Sequence, residues 1–384
     1  MKKVETIIIG GGISGLACGN KLHEAGKDFL LLTKDLGGRM LTSADGKVSY
    51  GAVYATDDYE NVLGFARKKG RLRIKNLYFR KGTGFKNIFS DWRLVLQAQK
   101  LIRLLFVISD FNRRMKEYRH SAVYIGQRNS LRSDPVLLAY LSESAEHFVK
   151  RMGLQYLNEE YLNPILCSTM FMNYKETSVL YYLGVLMPLL TRTYEVDLTD
   201  TVNKLTFGWS DKARIETVDD IKNVDSGYLV STSSGKYFST NLVLALPYKN
   251  LISLYDITHL RDTGIPINVY HVSGERKGPL FGKMAIVLNP DENDASLLWG
   301  CEDGTDIVYS RLSEPNLSKY YQSHKIIKKV HWDTAVCALE SDWVNQNMGN
   351  GLYLASDYNG FSLEDAFITG LYAANQIIAT GREV

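Results

Sequence analysis

The first thirty residues constrain the fold most strongly, because a short apolar strand runs into a glycine-rich turn and then a helix. Val4–Ile9 predict the strand, and the turn reads Gly10-Gly11-Gly12-Ile13-Ser14-Gly15. In such a unit Gly10 permits the tight turn, Gly12 lets the backbone approach a pyrophosphate, and Gly15 lets the helix pack on the strand. The helix N-terminus offers free N–H groups to phosphate. The candidate cofactor contacts here are Gly10, Gly12, Ile13, Ser14 and Gly15.

A second strand completes the unit. The helix ends at Gly26, and Phe29–Leu32 form a buried strand, which gives a βαβ unit of the expected size. The acidic residue that usually binds a ribose at the end of this strand is absent, since Thr33 and Lys34 stand there and Asp35 follows. We expect Thr33 or Asp35 to reach the ribose, with Lys34 nearby. Glycine turns also occur for purely structural reasons, but the flanking strand and helix favour dinucleotide binding.

Composition places the chain among ordinary globular proteins. Its 384 residues suggest two or three domains, and the apolar fraction of 45% with a charged fraction of 23% excludes a disordered or collagen-like chain. A net charge of +3 argues against nucleic-acid binding. Four widely spaced cysteines and seven histidines form no metal-ligand pattern, so we expect no metal and a reduced, cytoplasmic protein. The apolar stretch Val179–Leu190 is too short to cross a bilayer.

The residues after the second strand resemble a known family. Leu36-Gly37-Gly38-Arg39-Met40 is similar to the glycine–arginine turn of the flavin-containing amine oxidase superfamily, which includes protoporphyrinogen oxidases, phytoene desaturases and renalase-like enzymes. The resemblance implies that Gly38, Arg39 and Met40 contact the pyrophosphate of FAD, where a guanidinium neutralises phosphate charge with fork geometry. Gly51-Ala52 resembles the next flavin-contacting turn of the family.

A second resemblance lies at the C-terminus, in the segment from Gly351 to Ile377. Leu352–Ala355 match the family's strand, Asp357 its acidic residue, and Ser362 with Leu363 the start of its helix. The resemblance implies that Asp357 binds the ribityl or phosphate region of FAD, with Ser362 and Leu363 beside it. A capped amphipathic helix without a ligand is the alternative interpretation.

Central segments carry further resemblances. Asn241–Pro247 is similar to the strand that returns to the cofactor domain, and Val218 matches a backbone contact to the adenine. Trp332 matches the segment before the second flavin motif, and Tyr358 lies near the C-terminal motif, so these two are the candidate catalytic residues. A tryptophan buried in a structural core is the alternative for Trp332.

Two departures from the family bear on the chemistry. Many family amine oxidases hold a water at flavin N5 with a lysine, whereas Asn268 stands at the aligned position and Lys283 belongs to the next segment. This absence weakens amine oxidation and leaves the catalytic competence of the site open. No cysteine stands in the family's covalent-flavin context, so the resemblance implies noncovalent FAD.

The expected fold is α/β, an FAD-binding Rossmann-like domain with a smaller α+β substrate domain. The cofactor domain is predicted to be discontinuous, from residues 1–60, 196–250 and 330–384, and residues 61–195 and 251–329 form the substrate domain. Helical spacing predicts helices over Trp92–Arg119, Pro135–Met152 and Ser178–Leu190. Strands are predicted in residues 265–274, 284–289 and 296–303.

The first of these helices is basic as well as amphipathic. Its cationic residues allow weak association with an anionic membrane surface, whereas a solvated helix face is the plainer alternative. These residues are Arg103, Arg113, Arg114, Lys116, Arg119 and His120.

The sequence therefore predicts an FAD-dependent oxidoreductase that dehydrogenates a small or medium-sized substrate, apolar or amine-bearing, by hydride transfer to flavin N5. Oxygen or another acceptor would reoxidise the flavin. A flavin-dependent isomerase or mutase is the second hypothesis, and turnover without consumption of an acceptor would identify it. A noncatalytic flavoprotein that binds a partner is the third. No motif identifies the substrate, the acceptor or the oligomeric state.

Overall fold

The computed structural model describes residues 1–81, 84–257, 260, 264–277, 285–289, 292–337, 343–360 and 362–381. Lys283 lies outside these residues. In chain order the strands are β1 (Lys2–Gly11), β2 (Phe29–Leu36), β3 (Tyr54–Thr56), β4 (Arg67–Leu72), β5 (Leu77–Lys81), β6 (Gly84–Asn87), β7 (Thr193–Asp197), β8 (Ala213–Ile215), β9 (Val218–Val224), β10 (Gly227–Thr232), β11 (Gly235–Leu244), β12 (Gly264–Arg276), β13 (Ala285–Leu288), β14 (Leu297–Gly300), β15 (Asp306–Ser310), β16 (Tyr321–Cys337), β17 (Asn347–Gly349) and β18 (Leu352–Leu354).

The α-helices, again in chain order, are α1 (Ile13–Glu24), α2 (Glu60–Phe65), α3 (Arg93–Leu96), α4 (Ala98–Ile125), α5 (Gln127–Ser133), α6 (Pro135–Ser142), α7 (Ala145–Met152), α8 (Gln155–Leu157), α9 (Asn163–Thr169), α10 (Val179–Leu186), α11 (Thr201–Leu205), α12 (Tyr248–Leu254) and α13 (Leu363–Thr380). Short 3₁₀ turns that matter below lie at Gly38–Met40, Ile74–Asn76, Ile88–Ser90 and Met187–Leu189. Within the described residues, every helix is too short or too polar to cross a lipid bilayer.

The first sheet has the strand order β17-β18-β11-β1-β2-β8, and the antiparallel strands β10 and β9 extend from β11. β1 lies parallel to both neighbours, with Ile8 opposite Val243 on β11 and Leu31 on β2. All three residues are fully buried. Strands covered on both faces read as nearly continuous apolar runs, and this pattern is what predicted them. The predicted α/β fold is confirmed, and the glycine turn follows the central strand.

Helix α1 packs between the first sheet and α13, and two glycines allow this close contact. A Cβ at Gly15 would lie 2.0 Å from the carbonyl oxygen of Gly10, and a Cβ at Gly370 would lie 2.0 Å from that of Ser14. No side chain fits at either position without moving backbone. The C-terminal helix is therefore fixed against the N-terminal turn.

The second sheet has the order β16-β12-β15-β14-β13-β5-β6. Its longest pair is antiparallel β12 and β16, in which Ile267 lies opposite Trp332. Side chains alternate between two apolar clusters, with Ile267 and Val269 on one face and Tyr270 on the other. A third, smaller sheet has the order β3-β7-β4.

A helical layer formed by α4, α6, α7, α9 and α10 has its own core, which includes Leu104, Phe111 and Leu183. The predicted helix over Trp92–Arg119 is two helices, α3 and α4, and the second continues to Ile125. The predicted helix over Pro135–Met152 is also two, since the Ser144 hydroxyl caps α7 by accepting from His147 N. The predicted helix over Ser178–Leu190 ends at Leu186, where Pro188 belongs to a 3₁₀ turn.

The domain boundaries stay predictions. Two of them, at residues 196 and 330, fall inside the continuous strands β7 and β16. β16 pairs with β12 of the second sheet along most of its length, and its last residues approach the glycine turn of the first sheet. A strand shared in this way joins the parts that the predicted boundaries separate.

Candidate functional site

A cavity of about 1020 Å³ extends from the carboxyl end of β1 to the inner face of the second sheet. Its size is at the upper end of the range for small-molecule and cofactor sites. One end is formed by backbone turns of the first sheet. The other end is walled by apolar side chains of the second sheet and the helical layer. The cavity thus offers room for a long ligand with two chemically different ends.

The first end is a cradle made by two glycine turns. Gly12 is the N-cap of α1, has no side chain to satisfy the first N–H groups, and leaves at least 4 Å free where a Cβ would stand. The second turn, at Gly38 with φ of +53°, approaches so closely that its Cβ would lie 3.2 Å from Gly12 Cα. An uncapped helix N-terminus without acidic residues in its first turn is a binding site for anions. The cradle therefore fits a pyrophosphate.

Arg39 leaves the second turn and pairs with Asp357 from the far end of the chain. Its two terminal nitrogens donate to the two carboxylate oxygens at 2.5 and 2.7 Å, and one of them also donates to the carbonyl of Ala335 at 2.7 Å. Burial opposes the charge of Arg39, but the carboxylate of Asp357 outweighs it and raises the pKa of the guanidinium. Ser356 donates to the same carboxylate at 3.0 Å. The two residues that the resemblance assigned to FAD from opposite ends of the sequence are thus in direct contact.

Thr33 does not hold its hydroxyl free for a ribose. The Thr33 hydroxyl accepts from Gly11 N at 2.9 Å and donates to the carbonyl of Asp35 at 2.7 Å, so it stabilises the turn itself. The expectation that it donates to a ribose is corrected on this ground. Asp35 also lines the cavity, and it is exposed.

Glu216, which no sequence motif indicated, lines the cavity next to the same turn. Glu216 N donates to the carbonyl of Thr33 at 2.9 Å because β8 pairs in parallel with β2. Its carboxylate accepts from Tyr237 and Thr232, each at 2.9 Å. An acidic residue directly before the Thr217-Val218 segment was the available signal, but the order of the strands cannot be read from the sequence.

The remaining predicted cofactor residues lie along this end of the cavity. The lining includes Gly10, Gly12, Ile13, Ser14, Thr33, Lys34, Gly38, Arg39, Met40, Val218, Asp357, Ser362 and Leu363. Gly15 is outside the lining, where it packs α1 on the strand. Ser362 caps α13 by accepting from Asp365 N at 3.0 Å.

A buried charge cluster supports this wall. Arg119 lines the cavity and forms ion pairs with Asp58 and, at 3.1 Å, with Asp365, while its guanidinium lies 5.3 Å from the ring centre of Tyr59. Burial opposes its charge, but the two carboxylates raise its pKa. Arg119 is therefore an internal residue, which corrects its assignment to a membrane-facing surface.

The other end of the cavity is apolar. Ile267, Trp299, Tyr309 and Trp332 supply the sheet wall, and Phe171 stacks on Tyr309 with ring centres 6.0 Å apart. The described lining residues of β12–β15 and of residues 161–189 include no charged side chain.

Asn268 faces away from the cavity. Its side chain donates to the carbonyl of Leu312 at 3.1 Å and pairs with His331 at 3.0 Å. The alternation of the strand puts Ile267, and not Asn268, on the cavity, and the alignment of Asn268 with the family's lysine stays a prediction. Neither residue is a lysine.

The two candidate catalytic residues lie in different surroundings. Trp332 lines the cavity beside Ile267, whereas Tyr358 packs in the core beneath the first sheet. The Tyr358 hydroxyl donates to the carbonyl of Leu246, and burial is the largest cause that raises its pKa. Because Tyr358 is not among the lining residues, the structure places it away from the position expected for a flavin neighbour.

Tyr50 contributes to the cavity wall and begins a chain of hydrogen bonds toward the surface. Its hydroxyl lies 3.3 Å from His271 Nδ1, His271 Nε2 lies 2.7 Å from the Thr305 hydroxyl, and that hydroxyl donates to Asp303 at 2.5 Å. Thr305 must then accept from His271 Nε2, which leaves Nδ1 to accept from Tyr50. Burial lowers the pKa of His271, and Asp303 offsets this effect only in part. The neutral imidazole thus joins Tyr50 to Asp303.

Among the described residues, no group of three or more histidine, cysteine or carboxylate side chains could hold a metal ion. The cysteines are not placed for thiolate chemistry either, since burial raises the pKa of Cys18 and, to about 12, that of Cys301.

Comparison with known proteins establishes the fold. A family model described as an NAD(P)-binding Rossmann-like domain matches residues 8–68. No curated protein matches the chain by sequence.

Solved structures match almost the whole chain. A structure of putrescine oxidase, from a redesign of its cofactor binding, has a TM-score of 0.71 at 14% identity and covers 99% of this chain and 100% of that chain. Cyclohexylamine oxidase from Brevibacterium oxydans IH-35A has a TM-score of 0.67 at 15% identity, over 98% and 99% of the two chains. A CLA-producing fatty acid isomerase from P. acnes has a TM-score of 0.71 at 13% identity, over 98% of both. The predicted likeness to flavin-containing amine oxidases is confirmed at the level of the fold.

Proposed function

We propose that this chain, which has the fold of the flavin-containing amine oxidases, is an oxidoreductase that binds FAD noncovalently. One observation carries the proposal: two glycine turns and an uncapped helix N-terminus meet at one end of a cavity whose other end is apolar. The first end fits a dinucleotide pyrophosphate and the second fits an aromatic ring system with a substrate.

The binding residues divide by the part of FAD that they would hold. Gly12, Ser14 and Gly38 would bind the pyrophosphate through backbone N–H groups, and Arg39, oriented by Asp357, would supply the positive charge. The isoalloxazine would accept a hydride from the substrate when FAD is bound. Trp332 would form part of the wall that excludes water from this end.

Glu216 is our candidate for the ribose contact that β2 does not provide. Its backbone is bonded to Thr33, so its carboxylate lies beside the position where the acidic residue is usually found. Tyr237 and Thr232 hold the carboxylate in place. Asp35 is the competing candidate, but no described residue fixes its side chain.

The apolar end favours a neutral substrate over an ammonium ion. A cationic amine beside the uncharged side chains of β12–β15 would lose its hydration there without gaining a carboxylate partner. The lining carboxylate next to Trp332, that of Asp333, already lies 3.5 Å from the Lys249 ammonium. The absence of lysine at both Ile267 and Asn268 agrees with this interpretation. We therefore propose dehydrogenation of an apolar substrate, with oxygen or another acceptor receiving the electrons.

A flavin-dependent isomerase is the second candidate, because the same apolar wall suits a substrate that is rearranged without net oxidation. The fold match to the fatty acid isomerase, as close as that to putrescine oxidase, supports keeping it. Consumption of oxygen or of an added acceptor during turnover separates the two candidates. A flavin that no ligand reduces would point instead to a noncatalytic partner-binding protein.

The first experiment is the visible spectrum of the purified protein, which should show bound flavin. Gly12→Asp should lose the flavin yet keep its fold, since the added side chain enters the free space of the cradle and repels phosphate. Gly64→Asp is the matched control, because Gly64 also has nothing within 4 Å and lies on exposed α2, away from the cavity. A folded, colourless wild-type protein that cannot be reconstituted with FAD would overturn the proposal.

A further inference from the structure

Large apolar side chains are exposed together at the start of the helical layer. On the 3₁₀ turn, α3 and the first two turns of α4, six of them are between 54% and 77% exposed: Phe89, Trp92, Val95, Leu96, Ile102 and Phe106. We call these six residues the apolar patch. An exposed contiguous apolar surface of this kind marks an interaction site.

The helices present two apolar faces, and only one of them is covered. Leu101, Leu104 and Ile108 face the core of the helical layer. Ile102 and Phe106 are four residues apart on the other face of α4, so they share one exposed stripe, and Val95 is exposed on α3 just before it. Core packing therefore accounts for the first face and not for the second.

The surroundings of the apolar patch are strongly basic. Residues 67–106 contain twelve lysines and arginines and one acidic residue, Asp91, whereas the whole chain has a net charge of only +3. Asp91 is buried and accepts from Arg93, Tyr156 and Tyr161. Five of the cations form neither an ion pair nor a ring contact with any described residue, namely Arg71, Arg73, Lys75, Lys100 and Arg103.

Most of the basic residues further along α4 that the sequence singled out lie against carboxylates, and exposed Lys116 is the exception among the described residues. Arg113 pairs with Asp110 and Glu117, and Arg114 pairs with Asp110 and Asp134. Among the described residues the unpaired cations are thus concentrated before and at the N-terminal end of α4, beside the apolar patch, with Lys116 the single one further along the helix.

The apolar patch also adjoins the cavity. Ile88 and Arg73 line the cavity, and each is next to exposed residues of this region. The Asn87 side chain joins the two segments by donating to the carbonyls of Lys75 at 2.6 Å and Leu77 at 3.1 Å. A surface bound to the apolar patch would lie against this wall of the cavity.

We propose that the apolar patch and the five unpaired cations dock this protein on an anionic lipid surface. Apolar side chains entering the headgroup layer and cations facing lipid phosphates are the two components of interfacial binding, and both are present here. A protein partner would have to match this excess of positive charge with an acidic face of its own. The proposal does not depend on flavin binding.

The test is sedimentation of the purified full chain with vesicles of phosphatidylcholine containing about one third phosphatidylglycerol. The wild type should bind at low salt, bind less in high salt, and bind poorly to pure phosphatidylcholine vesicles. The double variant W92S/F106S should bind at least tenfold more weakly, and replacing Arg71, Arg73, Lys75 and Arg103 by glutamine should remove the salt dependence.

Two variants serve as controls. Phe207→Ser removes an equally exposed aromatic ring, 83% exposed, from a different part of the surface and should leave binding unchanged. Arg113→Gln removes an exposed but ion-paired cation of α4 and should change binding little. A wild type that stays in the supernatant would overturn the proposal, as would W92S/F106S binding like the wild type. Concentration-dependent dimers that W92S/F106S abolishes, without vesicle binding, would instead assign the patch to a second copy of the chain.

Discussion

Arg39 and Asp357 are 318 positions apart in the chain and share two hydrogen bonds of 2.5 and 2.7 Å. The pair joins the second glycine turn to the segment after β18, and the carbonyl of Ala335 near the end of β16 completes the arrangement. The cradle for a pyrophosphate is therefore held together by three distant segments of the chain.

A double-mutant cycle should show that this pair is coupled. Asp357→Asn and Arg39→Gln should each lower the free energy of unfolding by about 2 kcal/mol, because each leaves a mostly buried partner without its ion pair. The double variant should lose less free energy of unfolding than the two single variants lose together, and the difference should be about 1 kcal/mol or more. Urea unfolding of the four proteins without added FAD measures the coupling, and strictly additive losses would show that the contact contributes nothing by itself.

Glu216 and Asp35 can be separated as ribose ligands by their effect on cofactor affinity. Glu216→Gln keeps the size of the side chain but removes the charge that a ribose hydroxyl would meet, so FAD should bind about tenfold more weakly. Asp35→Asn should bind FAD like the wild type. Fluorescence titration of FAD into the apoproteins gives the dissociation constant of FAD for each variant. If Asp35→Asn bound FAD more weakly than Glu216→Gln, the ribose ligand would be Asp35 and not Glu216.

His271 should make stability depend on pH. Because burial keeps its pKa below the ordinary value, the unfolded chain takes up a proton near pH 6.5 while the folded chain does not. Stability should therefore fall as the pH decreases below about 6.5, by at most about 1.4 kcal/mol per pH unit from this residue. Above pH 6.5 the residue should have no effect.

Comparison of the wild type with His271→Gln isolates that contribution. Urea unfolding at pH 7.5, 6.5 and 5.5 should show that the free energy of unfolding falls more steeply with decreasing pH in the wild type than in the variant. Parallel losses in the two proteins would show that His271 titrates at the same pH folded and unfolded.

Substitution by alanine should lower the stability of the protein at two glycines and raise it at a third. Gly15→Ala and Gly370→Ala should each lower the free energy of unfolding by about 3 kcal/mol, because the added Cβ atoms would lie 2.0 Å from backbone oxygens. Gly64→Ala should instead raise the free energy of unfolding by about 0.5–1 kcal/mol, since Gly64 is in a helix and a Cβ there would meet free space. Thermal unfolding ranks the variants, and a stable Gly370→Ala protein would contradict the close packing of α13 on α1.

Much of the first sheet was predictable, because a glycine pattern ending at Gly15 between the apolar runs of β1 and β2 is typical of one kind of βαβ unit. The motifs at Arg39 and Asp357 were found from local sequence, but their mutual contact was not. Local patterns carry no information on which distant segments meet. For the same reason the sequence did not indicate that Glu216 lines the cavity, because its position there depends on the pairing of β8 with β2. The sequence did not show that Ile267 rather than Asn268 lines the cavity, because in a strand a shift of one residue moves a side chain to the opposite face.

The position of Asp357 has a consequence for biosynthesis. The ribosome adds Arg39 318 positions before Asp357, the residue whose carboxylate orients its guanidinium. Contacts of such long sequence separation form late and slowly. The nascent chain therefore carries an incomplete nucleotide cradle until Asp357 has left the ribosome.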